Sequence, residues 1–95
     1  YSDEYWRQRR DHFEVPTEDL VGKRRDARTA ASRQVAMYLI RNDGRETYPE
    51  IGRILGGRDH STVLHGCAKI ERRLKLEDRL KGDLEAIRAR LASSS

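Results

Sequence analysis

Apolar positions recur along this chain at steps of three and four, and they never alternate over a useful length. That pattern predicts helices and offers no strand. It is clearest in the second half. Val63, Cys67, Ile70 and Leu74 form one stripe, and Leu80, Leu84, Ile87 and Leu91 form another over roughly 77–92. Upstream, Ala31, Val35 and Leu39, with Ala36 and Ile40 beside them, mark a long helix over 27–42 that Asp43-Gly44 ends. Ile51, Ile54 and Leu55 give the buried face of a short helix over 48–55. Thr47 is its N-cap, with Glu50 at the spacing of a capping box. The N-terminal part is weaker. Residues 3–13 read as a short helix with a thin apolar face of Tyr5, Trp6 and Phe13, ended by Pro16. Thr17 is expected to cap a further short helix, which Gly22 breaks. The expectation is one all-α domain of about six helices over residues 1–95, with a linker-like helix within 1–13 and a disordered tail at Ser93-Ser94-Ser95.

Composition adds little to the fold and more to the ligand. The chain has 95 residues, 36% apolar and 38% charged, which suits a thin core under a wide charged surface. The formal net charge is +4 and the isoelectric point about 9.6. Its distribution is uneven. Residues 1–22 carry three basic and six acidic side chains, residues 23–75 carry thirteen and six, and residues 76–95 carry four of each. The positive field belongs to the middle of the chain, as expected if one face meets a polyanion. Cys67 is the only cysteine, so no internal disulfide can form, which fits a reducing compartment. No apolar run approaches the roughly 20 residues of a membrane span. The chain opens on Tyr1 rather than Met, as a piece of a longer protein would.

Residues 48–72 carry the chemistry. A short amphipathic helix, a Gly56-Gly57 turn and a second helix with polar residues at its start make the grammar of a helix-turn-helix. In such a unit the second helix enters the major groove and its first residues reach base edges. Here those are Asp59, His60, Ser61 and Thr62, with Asp59 also placed to cap the helix. An aspartate accepts from the cytosine amino group, and hydroxyls serve base edges or phosphates. His65 and Lys69 follow on roughly the same face as Ser61, suited to the phosphate backbone.

The run Gly56-Gly57-Arg58-Asp59-His60-Ser61-Thr62-Val63-Leu64-His65, continued by Gly66-Cys67-Ala68-Lys69-Ile70, closely resembles the signature segment of the C-terminal DNA-binding domain of the bacterial replication initiator DnaA. Lys23-Arg24-Arg25 and Ser32-Arg33-Gln34-Val35-Ala36-Met37-Tyr38-Leu39 resemble that family's basic loop and long helix. Tyr48-Pro49-Glu50-Ile51-Gly52 resembles its first motif helix. Together these cover about residues 13–72. The resemblance implies a Trp-repressor-like fold and a DnaA-box-like duplex target with an A·T-rich start. It implies base contacts by Arg25, in the minor groove, and by Tyr48, Pro49, Asp59, His60 and Ser61. It implies phosphate contacts by Arg33, Gln34, Arg41, Thr62, His65 and Lys69. It further implies origin recognition in replication initiation, a cytoplasmic, nucleoid-associated setting, a monomeric isolated domain and regulatory proteins that dock on the recognition face. ATP belongs to a separate ATPase domain of such proteins, so no cofactor is expected in this one. The chain departs from the family pattern at Ser32, where proline is common, at Ala27, where arginine is frequent, and at Arg9 and Arg10, where small or apolar residues are expected.

Other readings fare worse. His60, His65 and Cys67 stand five and two apart, which shares no helix face, so no metal is expected. Gly52 to Arg58 lacks the Gly-Lys-Ser/Thr and preceding strand of a phosphate loop. Ser61 and His65 lack an orienting acid and an oxyanion hole, so an enzyme is not expected. Three alternatives remain: a stand-alone DnaA-like regulator, a transposase-like DNA-binding module, and a basic helical protein-interaction module. The last would show no sequence-dependent retention on duplex DNA.

Overall fold

A computed structural model describes residues 2–13 and 15–93; Tyr1 and the tail residues Ser94 and Ser95 lie outside the described residues. The described chain is all-α: α1 (Ser2–Gln8), α2 (Thr17–Val21), α3 (Ala27–Asn42), α4 (Tyr48–Ile54), α5 (His60–Leu76) and α6 (Asp78–Ala92), with a 3-10 turn at Arg10–His12. Ser93, placed by sequence in the tail, closes α6 by donating its amide to Ala89 O at 3.1 Å.

The core is built where the stripes predict. Val63, Cys67 and Ile70 of α5 are buried against Val35, Ala36, Leu39 and Ile40 of α3 and against Ile51 and Ile54 of α4. Each fully buried leucine or isoleucine contributes roughly 1.5–3 kcal/mol relative to exposure. Leu74, the last residue of its stripe, is only partly covered. Leu80, Leu84, Ile87 and Leu91 lay α6 over the same core. The α3–α5 crossing is the most extensive in the fold. Gly66 lies at that crossing: a Cβ there would stand 2.5 Å from Met37 Sδ. A larger residue there would have to displace the Met37 side chain.

The N-terminal expectation needs correcting in two places. The helix read over 3–13 stops at Gln8 and continues as the 3-10 turn. Bonds from the Arg9 amide to Trp6 O and from the His12 amide to Arg9 O, both 3.1 Å, tighten the chain there, and Phe13 and Val15, which follow, both enter the core. Pro16, not Thr17, caps α2: its carbonyl takes the amides of Asp19 and Leu20, both at 3.0 Å, with no side-chain capping bond. The polar departures in this region have partners. Arg9 lies over the Tyr5 ring, 3.9 Å from its centroid. Arg10 Nη1 donates to Ile54 O at 3.1 Å, satisfying a carbonyl at the end of α4. Ser32 is buried within an α3 that starts cleanly, because Asp26 caps it by accepting from the Thr29 amide at 3.1 Å and its hydroxyl at 2.9 Å.

Candidate nucleic-acid interface

The first turn of α5 organises itself. Asp59, in extended backbone, accepts through Oδ2 from the Ser61 amide at 3.0 Å and the Ser61 hydroxyl at 2.6 Å. These bonds hold its carboxyl below the ordinary aspartate range. The expected cap is therefore in place, and Oδ1 faces only His60 Nδ1, at 3.9 Å. Asp59, His60 and Thr62 are exposed and Ser61 is half-buried. His65 and Lys69 continue the exposed face, opposite the buried stripe. On that stripe burial pushes the Cys67 thiol up to about 11, leaving it an inert packing group.

The turn before it is shaped by backbone. Gly56 has φ +92° and Gly57 φ +84°, the left-handed region glycine tolerates. Gly57 and Arg58 both donate their amides to Gly52 O, at 2.8 and 2.9 Å. A Cβ on Gly52 would lie 2.1 Å from Arg58 O, so the turn folds directly onto α4. At the other end of α4, Thr47 accepts from the Glu50 amide at 3.3 Å, as the capping spacing predicts. The Glu50 carboxylate turns to Arg53. Pro49 is exposed in the first turn, and Tyr48 is half-buried under the Arg41 guanidinium, 4.4 Å from the ring centroid. Arg41 also donates to Glu46 O at 2.9 Å.

The basic loop is Gly22 to Asp26. Lys23, Arg24 and Arg25 are exposed. Arg24 pairs with Asp26 at 2.6 Å and with Asp19 at 3.6 Å. Arg25 makes no hydrogen bond or ion pair among the described residues, so its guanidinium is available to a ligand.

Arg33 stands elsewhere than the sequence places it. Expected along a phosphate, it is 6% exposed, and its guanidinium faces inward. Nε donates to Asp19 O at 3.1 Å and Leu20 O at 3.2 Å, and Nη2 to Asp19 O at 2.7 Å and Gly22 O at 3.0 Å. Nη1 bonds Arg24 O. It ties the end of α2 and the basic loop to α3 instead of reaching solvent. Gln34, beside it, is half-buried next to Gly66. Arg58, which sequence reasoning treated only as part of a glycine-rich stretch, joins the same cluster. Its Nη2 donates to Leu20 O at 3.1 Å and Gly22 O at 2.5 Å. The available signal was its place between the glycine turn and Asp59.

A capped helix start, a glycine turn on a short helix and a basic loop anchored to both make a helix-turn-helix with a second polar arm. The profile of the family described as bacterial dnaA protein helix-turn-helix matches residues 10–70. The chain belongs to this family. It is thus a DNA-binding helix-turn-helix domain of DnaA type, and the matched span takes in α2 to the middle of α5. The chromosomal replication initiator protein DnaA of Thermomicrobium roseum is 48% identical over 80 residues, 84% of this chain and 17% of that protein. The same-named protein of Chloroflexus aurantiacus is 40% identical over 81 residues, 85% and 17%. That of Roseobacter denitrificans is 45% identical over 82 residues, 85% and 18%. The chain thus spans about a sixth of the length of these relatives. No helix among the described residues is long and apolar enough to cross a membrane.

Proposed function

We propose that this DnaA-type domain recognises a short, non-palindromic duplex site of the DnaA-box kind, and that it does so to mark a replication origin in the bacterial cytoplasm. Arg25 enters the minor groove of an A·T-rich start, where a narrow groove attracts arginine. Asp59, His60 and Ser61 read the adjacent major groove, with Tyr48 and Pro49 touching bases apolarly. The free Oδ1 of Asp59 takes a cytosine amino group while Oδ2 keeps the cap. Gln34, Arg41, Thr62, His65 and Lys69 follow the phosphates, helped by the free amides at the start of α5. One isolated domain binds one site, and a regulatory protein that covers α5 would block it.

The observation that carries the reading is Arg25: a guanidinium without a partner among the described residues, on a loop whose first carbonyl, Gly22 O, is bonded by Arg58, the neighbour of Asp59. Selection of bound duplexes from a random pool tests it. Recovery of a non-palindromic motif with an A·T-rich start is expected; no enriched motif sinks it. With five to seven phosphates neutralised, log affinity should fall against log salt with a slope of about −4.5 to −6.3.

A further inference from the structure

Two guanidinium groups from distant parts of the chain converge on the carbonyls that end α2. Arg33 comes from α3 and Arg58 from the helix-turn-helix turn, and they share Leu20 O and Gly22 O. Like charges are drawn together here only by the partial negative charge of unpaired helix-end carbonyls. Arg58 Nε is buried with no partner among the described residues, and burial and the nearby Arg33 charge lower the guanidinium pKa. The turn backbone reinforces the contact, since a Cβ on Gly56 would lie 2.0 Å from Val21 O. Arg33 alone would fasten the basic loop to α3. Arg58 is what fastens it to the turn that launches α5.

We infer that Arg58 is a positioning residue: it fixes the basic loop against the start of α5 and so sets the register between the groove Arg25 enters and the groove Asp59 and His60 read. The inference rests on the DNA-binding reading above. The competing role for an arginine at this place is a phosphate contact. The geometry is against it, because Nη2 of a half-buried Arg58 already serves two carbonyls and Nε is sealed from solvent. Arg58 therefore acts on specificity rather than on charge neutralisation.

The test uses the site recovered by selection and two scrambled versions, one altered in the A·T-rich start and one in the mixed end. Wild-type chain should lose about tenfold or more on each. Arg58→Met, which keeps length and removes the donors, should lose less than about twofold on scrambling the start while keeping most of its penalty at the other end. Its salt slope should equal that of wild type. Arg58→Lys, which restores one donor, should recover part of the start penalty; where Arg58→Met does not fold, as read by its thermal transition, Arg58→Lys decides by the same ratio. Start and end penalties that shrink together, or an unchanged start penalty, overturn the inference. A slope flatter by about 1 overturns it too, because Arg58 is then a phosphate contact. Equal binding of all three duplexes by wild-type chain instead overturns the DNA-box reading beneath it.

Discussion

The basic loop and the first turn of α5 are held in place by opposite means. The α5 turn is a local structure: Asp59 and Ser61, two residues apart, fix each other, and the helix follows. The loop's own bonds, Arg24–Asp26 and the Asp26 cap on Thr29, sit at its α3 end. Its shape comes from Arg33 and Arg58, 9 to 38 residues away, bonding the carbonyls of residues 19 to 24. A reader built on a helix end survives small changes elsewhere. A reader built on a loop depends on the tertiary contacts that hold it, and its precision is the precision of those contacts.

The largest effect on this contrast should come from Gly56→Ala. The new Cβ would meet Val21 O at 2.0 Å, on a residue with φ +92°. Backbone cannot step aside cheaply, so a loss of about 3 kcal/mol or more is expected. Thermal unfolding should show a midpoint lower by about 10 °C or more. Gly57→Ala is the control: φ is +84° but nothing lies within 4 Å, so only conformational strain of about 1 kcal/mol remains. Equal shifts for the two variants would show that contact between turn and α2 contributes nothing.

Next in size is Arg25→Ala, which leaves the fold intact because the side chain has no partner there. Affinity for the selected site should fall by about tenfold or more, with most of the preference for an A·T-rich start lost. Lys69→Ala, on the exposed face of α5, should instead weaken all duplexes alike and flatten the salt slope by about 1. If both variants weaken all duplexes alike, the loop supplies charge and no reading, and the two regions do not differ in kind.

The same contrast explains what the sequence disclosed. The α5 turn was legible because Gly56-Gly57 and Asp59 act on their own neighbours. The stripes of α3, α5 and α6 were legible because burial imposes helical spacing on apolar side chains. Arg33 was misplaced because a buried arginine and a phosphate-binding arginine are the same letter in the same helix. Only the fold shows that carbonyls at the end of α2 surround it. Arg58 was passed over for the same reason. The break after α1 carries no glycine or proline between Gln8 and Phe13, so no local residue marks it. Ser32 departs from the family pattern near the start of α3, and the Asp26 cap still gives that helix a clean start.

A smaller effect separates the cap that Asp59 makes from the base reading proposed for it. Asp59→Asn keeps a good N-cap, because asparagine ranks with aspartate there, but exchanges an acceptor for an ambivalent amide. Asp59→Ala removes both cap and reader. Thermal stability should therefore fall for the alanine variant and hold for the asparagine variant, while both relax base choice in a repeat selection. If asparagine preserves base choice as well, Asp59 is a cap alone, and reading at this end falls to His60 and Ser61.

The smallest effect is acid titration, which reaches the start of α5 through Asp59 and the α3 end of the basic loop through Asp26. The Asp59 carboxyl lies below its ordinary value because Ser61 donates to it by side chain and backbone, and that of Asp26 does so because of Thr29. A carboxyl depressed in the folded state stabilises it fully above the unfolded value. That contribution is lost as pH falls through the folded one. The Ser61 and Thr29 amides, followed by nuclear magnetic resonance, should therefore titrate with midpoints below the usual aspartate value of about 3.9. Asp59→Asn should abolish the Ser61 titration and leave that of Thr29. The guanidinium–carbonyl bonds of Arg33 and Arg58 contain no group that titrates in this range, so the Gly22 amide should hold its shift while the start of α5 responds, and the Arg24 amide, beside the Arg24–Asp26 pair, should follow Asp26. Movement of the Gly22 amide in step with Ser61 would mean that the two regions are one cooperative unit, and that the α5 cap, not only Arg58, holds the loop in register.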